Sequence, residues 1–161
     1  MIDLMPRRMT SSVLVGRSDA LDLLDSLVRD AAQGRPRHAV VGGEAGVGKT
    51  RLLAEARARA EADGAQVLVG GCVSMGAEGL PFAPYTEIIR SLVAHDGATQ
   101  VAALAGRAST DLARLVPSLG GPQAAPDEEL WAEPRLYQAI LELFRRLAER
   151  TPMVCLLYIS D

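Results

Sequence analysis

Eight consecutive residues of the chain have the types and the spacing needed to hold a phosphate group. Residues 43–50, Gly-Glu-Ala-Gly-Val-Gly-Lys-Thr, fit the pattern G-x-x-x-x-G-K-[ST]. Glycine tolerates positive φ and lets the backbone approach an anion closely, so that successive N–H groups can surround it. A lysine then neutralises charge on the β and γ phosphates, and a hydroxyl ligates Mg²⁺. The segment therefore predicts a loop that binds the phosphates of a nucleotide.

Specific roles follow for the members of this loop. Lys49 is predicted to neutralise phosphate charge in catalysis, and Thr50 is predicted to be a second catalytic residue and the metal ligand. Glu44 lies at a position that the motif leaves unspecified, so a solvent-facing side chain is the favoured interpretation. Lys49 is the only lysine among 17 basic residues, placed where a compact charge suits phosphate better than a planar guanidinium. The predicted nucleotide-binding residues of the loop are Gly43, Glu44, Ala45, Gly46, Val47, Gly48, Lys49 and Thr50.

The segments on either side of the loop must position it. The apolar, valine-rich residues 38–42 predict a buried strand, and residues 50–62 are good helix formers. Residues 66–73 predict a second buried strand, which would complete a parallel, right-handed βαβ unit. A third buried strand is predicted over 153–159. These flanks favour a phosphate site over the alternative, a glycine-rich turn with an incidental lysine.

Helices are predicted over much of the remaining chain. Apolar residues at spacings of three and four predict a helix over 19–33, with Ser18 as its N-cap. The clearest helix is predicted over 134–150, where Pro134 suits the first position. One face of that helix carries Leu136, Ile140, Leu143, Phe144 and Leu147. Shorter helices are predicted over 85–94, 98–107 and 111–116, the last capped by Thr110.

Composition limits the class of protein. The chain has 161 residues, the size of one domain, and 48% of them are apolar, enough for a substantial core. A net charge of −3 with interspersed signs gives no basic surface for nucleic acid. No apolar run is long enough to span a membrane, and Met1–Ser12 lacks the apolar region of a secretion signal. We therefore expect a cytoplasmic protein whose two isolated cysteines are buried thiols.

Several separated segments together resemble one family. They are Leu-Val-Gly-Arg at 14–17 before an amphipathic helix, the loop at 43–50, Gly-Cys at 71–72 and Gly-Leu-Pro-Phe-Ala-Pro at 79–84. This combination resembles the N-terminal AAA-type ATPase module of large LuxR-family transcriptional regulators, over about residues 13–157. The resemblance implies a module that binds ATP and Mg²⁺ and acts as a nucleotide switch. It also implies that Val15, Gly16 and Arg17 lie near the adenine end of the nucleotide.

The chain departs from that family at the end of the third predicted strand. The family has acidic residues there, which order Mg²⁺ and polarise the attacking water. Counting from Pro152, the two positions fall on Tyr158 and Ile159, which can do neither. Asp161 lies two positions late, and a solvated terminal residue is its favoured interpretation over a displaced catalytic acid. The sequence thus predicts ATP binding. The acidic residue that the family uses for ATP hydrolysis is missing from its expected position.

The expected fold is α/β, a three-layer P-loop NTPase with a partial parallel sheet and a helical insertion at about 84–150. Residues 1–12 are expected to be disordered, and residues 13–161 to form one ATPase domain, incomplete at its C-terminal end. We expect a truncated or frame-shifted piece of a larger regulator, which contacts itself or other regulator domains and does not itself bind DNA. The alternative is a non-catalytic remnant, or a protein-interaction module, with a vestigial nucleotide site.

Overall fold

The structure, a computed structural model, describes residues 16–72, 82–120 and 132–159. Within these ranges six α-helices and two β-strands follow one another along the chain. They are α1 (Ser18–Ala32), α2 (Lys49–Ala62), β1 (Gln66–Cys72), α3 (Ala83–Asp96), α4 (Ala98–Ala105), α5 (Ser109–Leu112), α6 (Ala132–Ala148) and β2 (Met153–Ile159). Short 3₁₀ turns lie at Gly106–Ala108 and Pro117–Leu119.

The two strands are neighbours and run parallel. The register pairs Gln66 with Met153 and Cys72 with Ile159, so all seven residues of each strand are matched. Parallel strands need a long crossover connection, and α3 to α6 lie between β1 and β2 in the chain. The described residues thus have the α/β, P-loop-like arrangement with a small parallel sheet that the sequence predicts.

One predicted strand is wrong. Residues 38–42 have no strand structure, and no backbone hydrogen bond joins them to β1 or β2 in the described part of the chain. The side chain of Val40 is 93% exposed, whereas Val41 packs against α1 and α2. The predicted βαβ unit therefore does not form among the described residues, because an apolar segment becomes a strand only where another strand can accept its backbone hydrogen bonds. The sheet contains two of the three predicted strands.

The main core lies against one face of the sheet. Leu68 of β1 is buried in it, and Met153 and Cys155 of β2 pack against it. These three positions share a face because side chains alternate along a strand and the register matches Leu68 with Cys155. The helices supply most of the buried members: Ile88, Ile89, Leu92, Val101, Ala105, Leu112, Leu136, Ala139, Ile140, Leu143 and Leu147. The predicted apolar face of α6 is therefore the face that packs, apart from Phe144, which is half-buried beside it.

A second, smaller cluster joins α1 to α2. Leu21 of α1 and Leu52 of α2 are buried together with Ala56, and Leu24 and Val41 pack against them. The spacing of Leu21 and Leu24 is the helical periodicity from which α1 was predicted. This contact fixes the start of α1 relative to α2, and α2 begins in the phosphate-loop motif.

The predicted helix caps are wrong. Ser18 is the first residue of α1 rather than its N-cap; that position is taken by Arg17, and no side chain caps the helix. The Ser18 hydroxyl instead donates to the neighbouring Asp19 carboxylate at 3.3 Å. Thr110 lies inside α5 and likewise caps nothing. A sequence pattern locates a helix end to within one or two residues, whereas a cap requires one particular residue in non-helical geometry.

Candidate functional site

The phosphate-loop motif forms an exposed turn that leads directly into α2. Gly46 and Gly48 both have positive φ, +79° and +96°, which an L side chain rarely adopts. A turn over Ala45 and Gly46 reverses the chain, and the Val47 N–H approaches the Glu44 carbonyl at 3.4 Å. Gly48, which the motif specifies, and Gly46, at a position that the motif leaves open, thus provide the positive φ that a phosphate-binding loop needs.

The N-terminus of α2 is open to an anion. The helix begins at Lys49 after Gly48 in the left-handed conformation, with no side-chain cap and no acidic residue in the first turn. The first hydrogen bond into the helix runs from the Leu52 N–H to the Gly48 carbonyl, so the preceding N–H groups have no acceptor in the helix. These groups and the helix dipole favour negative charge at this end.

The Lys49 side chain folds back over the loop. Its ammonium group donates to the carbonyl oxygens of Gly43 at 2.7 Å and Glu44 at 3.1 Å. An ammonium group has three donors, so one remains for a phosphate oxygen. The Glu44 side chain is exposed, in agreement with its predicted solvent-facing position, and Lys49 itself is half-buried.

The predicted metal ligand is also accessible. Thr50 is the second residue of α2 and is exposed, so its hydroxyl can be reached by a cation bound beside a phosphate. The described residues contain no group of three His, Cys, Asp or Glu side chains that would hold a metal. The site therefore fits the phosphates of a nucleotide through its N–H groups and Lys49. For Mg²⁺ it provides one hydroxyl, with the remaining ligands left to phosphate and water.

Arg17 reaches the same loop from a distant part of the sequence. Its Nη2 donates a hydrogen bond of 2.9 Å to the carbonyl oxygen of Val47, thirty residues along the chain. Arg17 and Gly16 are both described, whereas Val15 lies outside the described residues. That Val15, Gly16 and Arg17 lie near adenine stays a prediction. The bond to Val47 was missed by sequence reasoning, because its acceptor is a backbone atom that no side-chain pattern marks.

The carboxyl end of β2 carries Tyr158 and Ile159, the two positions where the resemblance implies acids. Tyr158 of β2 is half-buried and pairs in register with Gly71 of β1. At the same end the Gly71 N–H donates to the Glu87 carboxylate at 2.6 Å. Helix α3 thus brings the Glu87 carboxylate to this edge of the sheet, where it is bonded to the backbone. No sequence pattern around Glu87 predicted this contact. Asp161 lies outside the described residues.

No helix in the described ranges is long and apolar enough to cross a membrane.

Comparison with known proteins gives one match. The family model described as an AAA ATPase domain matches residues 13–158, which include the glycine loop, α1, α2, β1 and all of β2 but its last residue. No curated protein and no solved structure matches the chain. The family match covers nearly the whole sequence and agrees with the P-loop-like arrangement of loop, helix and parallel strands. The chain belongs to the AAA ATPase domain family.

Proposed function

We propose that this chain binds ATP together with Mg²⁺ through residues 43–50, as the nucleotide switch of a LuxR-type transcriptional regulator. The observation that carries the binding proposal is the loop itself. Gly46 and Gly48 have positive φ, the start of α2 is uncapped and Lys49 folds back onto the loop, so N–H donors and one positive charge lie in the same short segment. This combination suits a chain of phosphates, whose charge the helix dipole also favours. The regulator role rests on the resemblance of the sequence.

In this proposal each group has a separate task. The loop N–H groups bind phosphate oxygens, Lys49 offsets the charge on the β and γ phosphates, and Thr50 is one ligand of Mg²⁺. Thr50 would thus hold a Mg²⁺ ion whose charge offsets that of the phosphates. Hydrolysis is expected to be slow or absent, because Tyr158 and Ile159 occupy the positions from which an acid would orient water.

Calorimetric titration with ATP, with and without Mg²⁺, tests the proposal. Lys49→Ala removes the ammonium group and is expected to weaken ATP binding about tenfold or more, the contribution of a hydrogen bond to a charged group. Thr50→Val removes the hydroxyl at nearly constant volume. It should abolish the gain in affinity that Mg²⁺ gives, whereas Thr50→Ser should keep it. Equal ATP affinity in wild type and Lys49→Ala would refute the phosphate-loop assignment.

A second candidate function is a protein-interaction module with a vestigial nucleotide site. Val40, at 93% exposure in an apolar segment without strand partners among the described residues, favours it. Ala39 beside it is also exposed, and an exposed apolar surface that extends over several residues commonly marks a place where another chain binds. This candidate predicts that the wild-type chain is folded, as measured by circular dichroism, and that titration with ATP gives no heat of binding. It also predicts that residues 38–42 become less exposed to solvent when the partner polypeptide binds.

A further inference from the structure

We propose that Arg17 is a positioning residue of the phosphate-binding loop, which orients the Gly48 N–H toward the phosphate by holding the Val47 carbonyl. The inference rests on the proposed function and deepens it. It assigns Arg17 a role on the phosphates, in place of the position near adenine that the resemblance implies for it. The observation behind it is the 2.9 Å hydrogen bond from Arg17 Nη2 to the Val47 carbonyl oxygen.

The geometry of the peptide bond makes this contact directional. The Val47 carbonyl and the Gly48 N–H belong to one peptide unit, which is planar, and in a trans unit the two groups point in opposite directions. Fixing the carbonyl on Arg17 therefore fixes the N–H on the other side of the loop. The Gly48 N–H has no acceptor among the described residues, and it directly precedes the uncapped start of α2. It is thus left available to an anion.

Gly48 requires such a restraint. Its φ of +96° lies in a region that glycine alone enters at little cost, and glycine is the residue with the most backbone freedom to lose. A glycine peptide unit without an external contact can rotate, and a rotated unit would present a carbonyl oxygen to the phosphate. Arg17 removes this freedom before the ligand arrives, which is how preorganisation raises affinity.

The fold holds Arg17 rigidly enough to act in this way. Arg17 is the N-cap of α1, and its own carbonyl accepts the Leu21 N–H at 3.0 Å. Leu21 is buried against Leu52, one turn into α2 from Lys49. The start of α1 is therefore clamped to the start of α2 by an apolar contact, and the guanidinium spans the remaining distance to the loop.

Calorimetry with inorganic tripolyphosphate, ATP and adenosine tests the proposal. Tripolyphosphate reports on the phosphate site alone, and adenosine on the base site alone. The variants are Arg17→Ala, Arg17→Met, which keeps an unbranched apolar side chain, and Arg17→Lys, which keeps the charge and a donor. Lys49→Ala tests the proposed function itself. Arg29→Ala is the matched control, because Arg29 is an exposed arginine near the other end of α1.

Arg17→Ala and Arg17→Met are expected to weaken the binding of tripolyphosphate and of ATP by the same factor, about tenfold. The affinity for adenosine should not change, and Arg29→Ala should bind all three ligands like the wild type. Arg17→Lys should recover part of the loss. The factor should persist in about 1 M salt, where charges are screened beyond about 3 Å, because an orientation defect is not a long-range attraction. The Gly48 amide resonance should shift with tripolyphosphate in wild type and shift less in Arg17→Ala.

Three outcomes would overturn the inference. They are tripolyphosphate affinity unchanged in Arg17→Ala, a loss confined to adenosine and ATP, and a loss that vanishes in high salt. The second would assign Arg17 to adenine, and the third to simple attraction. Failure of the proposed function looks different, because tripolyphosphate would then bind wild type and Lys49→Ala equally.

Discussion

The ammonium group of Lys49 donates a 2.7 Å hydrogen bond to the carbonyl oxygen of Gly43, the first residue of the glycine loop. The bond closes the loop, since it joins its first residue to the first residue of α2. A second bond, to the Glu44 carbonyl at 3.1 Å, holds the ammonium group beside the first two residues of the loop. One side chain thus makes the structural contact and carries the proposed ligand-binding role, so the chemical reactivity of Lys49 tests that proposal.

Bound ATP is expected to slow the acetylation of Lys49. The chain contains one lysine, so acetic anhydride modifies only Lys49 and the α-amino group among its amines. A phosphate that accepts a hydrogen bond from the ammonium group stabilises the charged form and withholds the reactive free amine. Mass spectrometry of timed samples gives both rates, and the α-amino group is the internal reference. An unchanged ratio at saturating ATP would contradict the assignment of Lys49.

Gly70→Ala is expected to destabilise the fold by about 1–3 kcal/mol, the usual cost of overpacking. Gly70 is buried in β1, and a Cβ there would overlap the carbonyl oxygen of Pro84 and lie 2.9 Å from its carbonyl carbon. Both neighbours are backbone atoms of α3, so no side chain can move aside. Gly42→Ala is the matched control, because a Cβ at Gly42 meets nothing within 4 Å. Urea unfolding of both variants measures the difference, and equal midpoints would show that α3 does not pack on β1 in this way.

Leu143→Ala is expected to cost about 2–5 kcal/mol of unfolding free energy. Leu143 has no exposed surface and lies in the main core, whereas Leu141, two residues earlier on the same helix, is 61% exposed. Leu141→Ala changes the same side chain in the same helix and should alter stability by well under about 1 kcal/mol. Urea unfolding again provides the comparison. Similar losses of unfolding free energy in both variants would mean that the assignment of the buried face of α6 is wrong.

The buried face of α6 was predictable from sequence because helical periodicity depends on one element alone. Residues three and four apart share a face whatever that face contacts, and Leu136, Ile140, Leu143 and Leu147 are all buried. The strands β1 and β2 were predicted from continuous apolar runs, which match the observed strands to within one residue. These elements carry their structural signal within their own residues.

The incorrect strand prediction for residues 38–42 shows the limit of signals that lie within one segment. Their valines favour an extended, half-buried segment, but a strand exists only with a hydrogen-bonded neighbour, and no pattern within five residues specifies that neighbour. The phosphate loop was predictable because its glycines and Lys49 act through their own local geometry. Arg17 was placed by family resemblance near the base, whereas its bond to the Val47 carbonyl depends on how α1 packs on α2. Contacts of that kind arise only in three dimensions.

Acid should reduce the stability that Glu142 contributes to α6. Hydrogen bonds from Arg145 and then Arg146 lower the pKa of its carboxyl group from 4.5 to about 2. Because the pKa is depressed in the folded state, this contribution is fully present above the unfolded pKa and disappears as the pH falls toward the folded value. The relevant window is therefore pH 4.5 to about 2.

Glu142→Gln removes the charge and keeps the shape, so it isolates this effect. Wild type should be more stable than Glu142→Gln near neutral pH, and the difference should shrink steadily between pH 4.5 and about 2. Arg146 also donates to the Leu104 carbonyl at 2.9 Å, so loss of its pairing with Glu142 loosens the contact between α6 and α4. Thermal unfolding across this pH series measures the difference, with Glu133→Gln, an exposed carboxylate in the first turn of α6, as control. A difference that stays constant with pH would show that Glu142 is not held by the two arginines in solution.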